Sequence, residues 1–350
     1  MDTRGPVLLA RYLALAWFGL VVYGSLHPFA GWRDTGISPF AFLEGGWPRY
    51  WTVFDLAANV AVYLPLGFFL TLALRGLPGR FSALILAVLL SGSVSLALEA
   101  VQTWLPSRVP SNVDLACNAI GGLLGALWAQ MVGPRVFLRI ATWQHRLIAP
   151  IPHAELGLTL LGLWLLIPLS PETLLFGAGD LRQILGLNSA VPFAAESFVL
   201  IEASITAFNA LAVGLIVRLL CVRAATAYVA VPLFILLGLL VRTLAAAILV
   251  SPGEAFAWLT TGAKMGLLMA GAGLAIAIAL PPTARLMLAA LALMAGATLV
   301  NLAPPNPYSA AALAAWRQGH FLNFNGLTRW VATLWPFLTL PFLLLTTRRQ

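Results

Sequence analysis

Three carboxylates, one histidine, one arginine and three amides recur at helical spacing in the first third of this 350-residue chain. Asp55 and Asn59 are four residues apart, Glu99 and Gln102 three, and Asp114 and Asn118 four again. On a helix, each pair shares one face. His27 precedes Pro28, and Arg108 sits in the segment Pro106-Ser-Arg-Val-Pro110. Carboxylates beside a histidine could do acid/base work, provided burial or like-charge repulsion raises one carboxyl pKa. The same groups could instead bind a polar headgroup, with Arg108 as the cation for one of three acids. The plainer reading is a polar network that fixes helix register. Three acids with one arginine exceed what register needs, so Asp55, Glu99, Arg108 and Asp114 are read as functional. For Asn59, Gln102 and Asn118, interhelical hydrogen bonding, worth ~0.6 kcal/mol on average, is slightly favoured. His27, at a helix end, reads as a solvated interfacial group ahead of a metal ligand or base.

The elements that must position these residues follow from composition. Hydrophobic residues make up 61% of the chain and charged residues 9%, and mean hydropathy is +0.92. Soluble domains carry ~25% charged residues, so this chain could not cover a water-facing surface. A soluble enzyme, a disordered chain and a disulfide scaffold are excluded. The class that remains is an all-α, polytopic transmembrane bundle. Ten apolar runs predict about ten spans: 7–26, 52–74, 81–104, 113–133, 156–176, 197–220, 227–250, 255–280, 284–302 and 330–345. The fifth contains Pro168 and Pro171, which could end it early. The first is too long for a signal-peptide core, lacks an A-x-A site after it, and is read as an uncleaved span.

Net charge is +8, which in a soluble protein would point to nucleic acid. Here the basic residues sort by side. With the N-terminus inside, Arg4, Arg75, Arg80, Arg135, Arg139, Arg146, Arg218, Arg223, Arg285, Arg348 and Arg349 fall in cytoplasmic segments. Arg33, Arg49, Arg108, Arg182, Arg317 and Arg329 fall outside, and Arg11, Arg242 and Lys264 lie within helices. The bias places both termini in the cytoplasm. Among acids, only Asp2 and Glu155 fall inside, so the positive charge is a cytoplasmic property and no nucleic-acid partner is expected. Cys117 and Cys221 are assigned to opposite sides, and no disulfide is expected. This topology puts His27, Asp55, Asn59, Glu99, Gln102, Arg108, Asp114 and Asn118 at one depth, near the outer interface, where a four-helix bundle brings them together.

Three regions are expected: a four-helix unit over 1–133, a cytoplasmic interfacial linker over 134–155 and a six-helix unit over 156–350. Arg135, Arg139 and Arg146 share one face of the linker, which is read as a helix lying on the inner leaflet with Trp143 as anchor. Within the first unit, Asp55-Leu-Ala-Ala-Asn59 is echoed by Asp114-Leu-Ala-Cys-Asn118, and both continue to a Leu-Gly (Leu66-Gly67, Leu124-Gly125). The echo points to two helical hairpins related by a parallel repeat. In the second unit Glu202, Asn209, Arg242, Lys264 and Asn301 lie in helices, with Arg242 and Lys264 expected to pair with Glu202 or to snorkel. The segment 309–329 is expected to hold a short helix capped by Ser309 and an ordered loop around His320, Asn323 and Asn325. No H-E-x-x-H or paired Cys/His spacing and no Walker loop occurs, so neither a metal nor another cofactor is expected.

His27-Pro28-Phe29, Asp55-x-x-x-Asn59 with Pro65-Leu66-Gly67, Glu99-x-x-Gln102, Arg108, and Asp114-x-x-x-Asn118-x-x-Gly121 together resemble the VanZ-like membrane family over about residues 8–130. The resemblance implies membrane residence and a link to tolerance of teicoplanin-type glycopeptides. It carries no catalytic role. The expected function is a bacterial cytoplasmic-membrane protein whose outer-facing polar pocket binds an envelope lipid or amphiphile. The alternatives are an acid/base enzyme on a lipid-linked substrate, a proton-coupled transporter and a scaffold for another membrane protein.

Overall fold

A computed structural model describes residues 4–46, 51–79, 81–170, 173–187, 191–307 and 322–347. The expectations for Asp2, Arg49, Arg80, Glu172, Arg317, Arg348, Arg349 and the segment 309–321 lie outside the described residues. Among those described, eleven α-helices form: α1 Arg4–Leu26, α2 Val53–Ala73, α3 Ser82–Gln102, α4 Asn112–Leu147, α5 Ala154–Trp164, α6 Arg182–Leu185, α7 Ala195–Leu220, α8 Ala224–Leu249, α9 Thr261–Ala277, α10 Pro282–Leu302 and α11 Leu322–Thr347. No named strand occurs among them. Eight helices are long and apolar enough to cross a membrane, and the chain is a multi-pass membrane protein. The other two of the ten apolar runs become shorter helices. The run from 156 stops at Trp164 and continues only as a 3-10 turn at Ile167–Leu169. Pro168 lacks the N–H that would extend the ladder. The run from 255 becomes the 17-residue α9.

The chain divides into two compact units, 1–144 and 145–350. Within the linker expected over 134–155, residues 134–147 continue α4 without a break. Arg135, Arg139 and Trp143 are exposed on it.

In lipid, helix association comes from close packing more than from expelling water, so small residues mark the contacts. In the first unit, α2 and α4 meet through glycines. A methyl group built on Gly67 would strike the Gly122 carbonyl oxygen; one on Gly121 would strike that of Val60, and one on Gly125 that of Leu64. No real side chain fits at these positions, so the two backbones lie against each other. Val21, Tyr63, Leu66 and Leu98 pack a core among α1, α2 and α3.

In the second unit α7 is the central helix. Its buried residues run from Phe198 to Leu220 on all sides, and it packs against α8, α9 and α10. From Thr173 to Leu181 the chain is irregular, yet Leu175, Phe176, Gly177, Ala178 and Gly179 are all buried. Irregular backbone at membrane depth is tolerated only where protein satisfies its polar groups, and here it does. Arg242 of α8 donates to the carbonyls of Ser170 and, at 2.8 Å, Thr173. Thr206 of α7 donates to Leu175 O at 3.3 Å. Asn301 of α10 donates to Gly179 O at 2.7 Å and accepts from Leu181 N at 2.9 Å. Thr333 of α11 donates to Asp180 O at 3.0 Å, and Gly179 N donates to Ala332 O at 2.8 Å.

Candidate functional site

The site lies at the end of the first unit where α1 and α3 finish and α2 and α4 begin. Each helix presents a polar stripe there. On α2 it is Asn59, Tyr63 and Gly67, spaced by four. On α3 it is Ser91, Ser95, Glu99 and Gln102, all buried. On α4 it is Asp114, Asn118 and the paired glycines. The segment after α1 lies across this end: Arg33 N donates to Trp104 O at 3.0 Å and Asn112 Nδ2 to Gly45 O at 2.7 Å.

Much of the expected constellation closes helix ends. The first N–H groups and last C=O groups of a helix have no partner within it. Arg108 donates from Nε to His27 O at 3.1 Å and from Nη2 to Gly24 O at 2.9 Å. Gln102 Nε2 donates to Ser25 O at 3.0 Å. Together they cover the terminal carbonyls of α1, and the cation sits at the negative end of that helix dipole. Sequence reasoning assigned Arg108 to a carboxylate. Among the described residues it has no carboxylate partner, and the one ion pair there is Arg182–Asp180 at 2.7 Å. Carbonyls are reached by its fork without a second charge.

Glu99 is 5% exposed. Its Oε2 accepts from the backbone N–H of Ser111 at 2.9 Å. Ser111 is the N-cap of α4: its Oγ accepts from Val113 N at 3.2 Å and Asp114 N at 3.3 Å. In a capping box the third helical residue would return a bond to the cap's own N–H. Asp55 does so on α2, accepting from Thr52 N at 3.1 Å and Thr52 Oγ at 2.7 Å. On α4 Glu99 has taken that place. Asp114 turns away and accepts from Asn59 Nδ2 at 2.8 Å. Asn118 Nδ2 donates to Ser95 Oγ at 2.9 Å.

His27 is half-buried, and its Nδ1 lies 2.5 Å from the Tyr23 hydroxyl. Burial, and then the charge of Arg108, hold its pKa below the ordinary 6.5. A neutral ring with its proton on Nε2 accepts from that hydroxyl at Nδ1. Burial likewise draws the Arg108 pKa down from its usual value.

The helices thus bring Asn59, Glu99, Asp114 and Asn118 into one connected region, with His27, Gln102 and Arg108 beside it at the end of α1. Asp55 is exposed and committed to its own helix. Ser95, Ser111 and Tyr63 were missed by sequence reasoning. Their signal was spacing: Ser95 is one turn before Glu99, and Tyr63 one turn after Asn59. One buried atom in the region lacks any hydrogen-bond partner, the Asn118 carbonyl oxygen; the buried Tyr63 hydroxyl has Ser95 as its side-chain partner. Among the described residues no three side chains of His, Cys, Asp or Glu converge as a metal cradle would require. Cys117 and Cys221 are free thiols.

The polar groups of the second unit serve other ends. Arg242 and Asn301 hold the irregular stretch. Glu202 accepts from Thr260 Oγ at 2.6 Å and makes no ion pair with Arg242 or Lys264; Lys264 is exposed. Asn209 Nδ2 donates to Ile205 O at 2.9 Å.

Residues 11–133 match the VanZ/LLP1 family model, and that span contains the whole cluster. No curated protein and no solved structure matches the chain. Over residues 11–133 the N-terminal unit is thus similar to the VanZ/LLP1 family, and a longer helical region that the match does not reach follows it.

Proposed function

We propose that the VanZ-like unit binds the polar headgroup of an envelope lipid or lipid-like amphiphile at the end where α2 and α4 begin. This binding serves cell-envelope maintenance in the bacterial cytoplasmic membrane, including tolerance of teicoplanin-type glycopeptides, with the polar end facing outward. The observation that carries the reading is unused hydrogen-bonding capacity in a buried place. The Asn118 carbonyl oxygen is buried without a partner, next to a Tyr63 hydroxyl held by Ser95. An unsatisfied buried polar group costs about 1–3 kcal/mol. The Asn118 oxygen, whose amide nitrogen donates to Ser95 one turn before Glu99, is relieved by a guest that brings N–H or O–H donors. Asp114 adds a second carboxylate, and Arg108 retains N–H groups for a phosphate oxygen.

The test is to purify the full chain with native lipid and identify retained lipids by mass spectrometry, for wild type, Asn118→Ala and Tyr63→Phe. The expected result is a headgroup class enriched on wild type and depleted on both variants, with teicoplanin tolerance falling in parallel. Identical lipid profiles on all three proteins would count against the reading.

A further inference from the structure

At one end of the second unit, α7 and α9 finish and α8 and α10 begin, joined by the short connections 221–223 and 278–281. Two guanidinium groups converge there on one carbonyl. Arg218 Nε donates to Ile278 O at 3.2 Å and Arg285 Nη1 to the same oxygen at 3.4 Å. Arg218 Nη1 also donates to Cys221 O at 3.1 Å. Arg285 is only 8% exposed, and its Nε is buried with no partner. Neither arginine has a carboxylate within salt-bridge distance among the described residues. Burial pushes the Cys221 thiol pKa up, so that neighbour supplies no negative charge.

Capping the end of α9 accounts for one arginine. Ile278 O is the carbonyl just past the helix, and a cation there is favoured by the dipole. It does not account for a second. Like charges brought to one acceptor repel, and the repulsion is strongest where water is scarce. Each guanidinium carries five N–H donors in a planar fork. Three bonds in all are made, and one of the remaining donors is buried. An anion with several oxygens resolves both the repulsion and the orphan donor, and phosphate geometry matches the fork.

Depth selects the kind of anion. Arg218 is two residues from the end of the apolar span Ala195–Leu220, and Arg285 is three residues into the span Pro282–Leu302. Both therefore stand at the level of lipid headgroups. Tyr228, whose hydroxyl donates to Ala275 O at 3.3 Å, is exposed at the same end, a placement typical of the membrane interface. Arg223 adds an exposed cation on the adjoining connection. Basic sites between helices at this depth suit anionic lipid headgroups.

We infer that Arg218 and Arg285 form a phosphate-binding site, taking the phosphate of an anionic phospholipid at the end where α7 meets α8 and α9 meets α10. The site is independent of the polar cluster in the VanZ-like unit. It is tested on the full chain in detergent by thermal shift and native mass spectrometry. The probes are phosphatidylglycerol in mixed micelles, phosphatidylcholine as the zwitterionic control, and inorganic phosphate. Phosphatidylglycerol is expected to stabilise wild type and to remain bound, whereas phosphatidylcholine does neither. Stabilisation by inorganic phosphate as well would support the site and assign it to a soluble anion. Arg285→Gln is expected to raise the half-saturating lipid concentration about tenfold, the equivalent of one charge-assisted hydrogen bond. Arg285→Lys is the safer variant for folding; it keeps the charge but lacks the fork, and is expected to recover only part of that loss. Equal half-saturation for wild type, Arg285→Lys and Arg218→Lys, or no discrimination between the two lipids, would overturn the site.

Discussion

Two helix starts in the VanZ-like unit have nearly the same sequence grammar and different fates. Thr52 caps α2 and Asp55 returns the bond, forming a closed box at an exposed helix end. Ser111 caps α4 in the same way, but Glu99 from α3 supplies the returning bond, and Asp114 is released to meet Asn59. The repeat is therefore broken by a third helix. What one start does locally, the other does through a buried carboxylate on its neighbour. The difference separates a residue that ends a helix from one that is available to the site. By that measure Asp55 stabilises α2 and Asp114 faces the cluster.

The two helix starts lose their contrast most severely if they are pushed apart. Gly125→Ala places a methyl group on the Leu64 carbonyl and is expected to destabilise the protein by about 3 kcal/mol, read by denaturation in detergent. It should also abolish the energetic coupling of Asn59 to Asp114. A near-neutral result would mean that α2 and α4 do not lie backbone to backbone. Next in size is the contrast between the two returning carboxylates. Glu99→Ala leaves the Ser111 N–H unpaired in a buried place and is expected to cost about 2 kcal/mol. Asp55→Ala, at a solvated end, should cost only about 1 kcal/mol. Equal costs would remove the distinction drawn here. A double-mutant cycle of Asn59→Ala with Asp114→Ala should then give a coupling of about 0.6 kcal/mol, whereas Asn59 with Asp55 should give none.

The smallest effect is in pH. His27 titrates below 6.5 in the folded protein because burial and Arg108 disfavour its charged form. The unfolded chain then binds the proton more readily, so stability falls as pH drops below 6.5 and is flat above it. Imidazole NMR of the full chain should show one resonance titrating low and missing in His27→Gln. A midpoint at or above 6.5 would show that neither burial nor the Arg108 charge acts on the ring as described.

The ten apolar runs were legible because twenty-odd residues of lipid-compatible side chain have few other uses. Of the two that shortened, the break at Pro168 was visible in the sequence and that before α9 was not. That Glu99, Asp114 and Asn118 gather at one end of the first unit was legible from the hairpin pattern. The roles of Glu99, Gln102 and Arg108 were not, because their partners are main-chain groups. A carboxylate that meets another helix's N–H, or a guanidinium that meets carbonyls, leaves no complementary residue in the sequence. The same reason hid Arg242 and Asn301, whose targets are carbonyls of an unwound stretch.

That stretch has a mechanical consequence. Thr206, Arg242, Asn301 and Thr333 come from four helices and all grip chain between Ser170 and Leu181. It is a keystone: none of α7, α8, α10 and α11 can slide without loosening the hold of the others. Movement of the second unit must therefore carry the four helices together, or else begin by letting this one segment go.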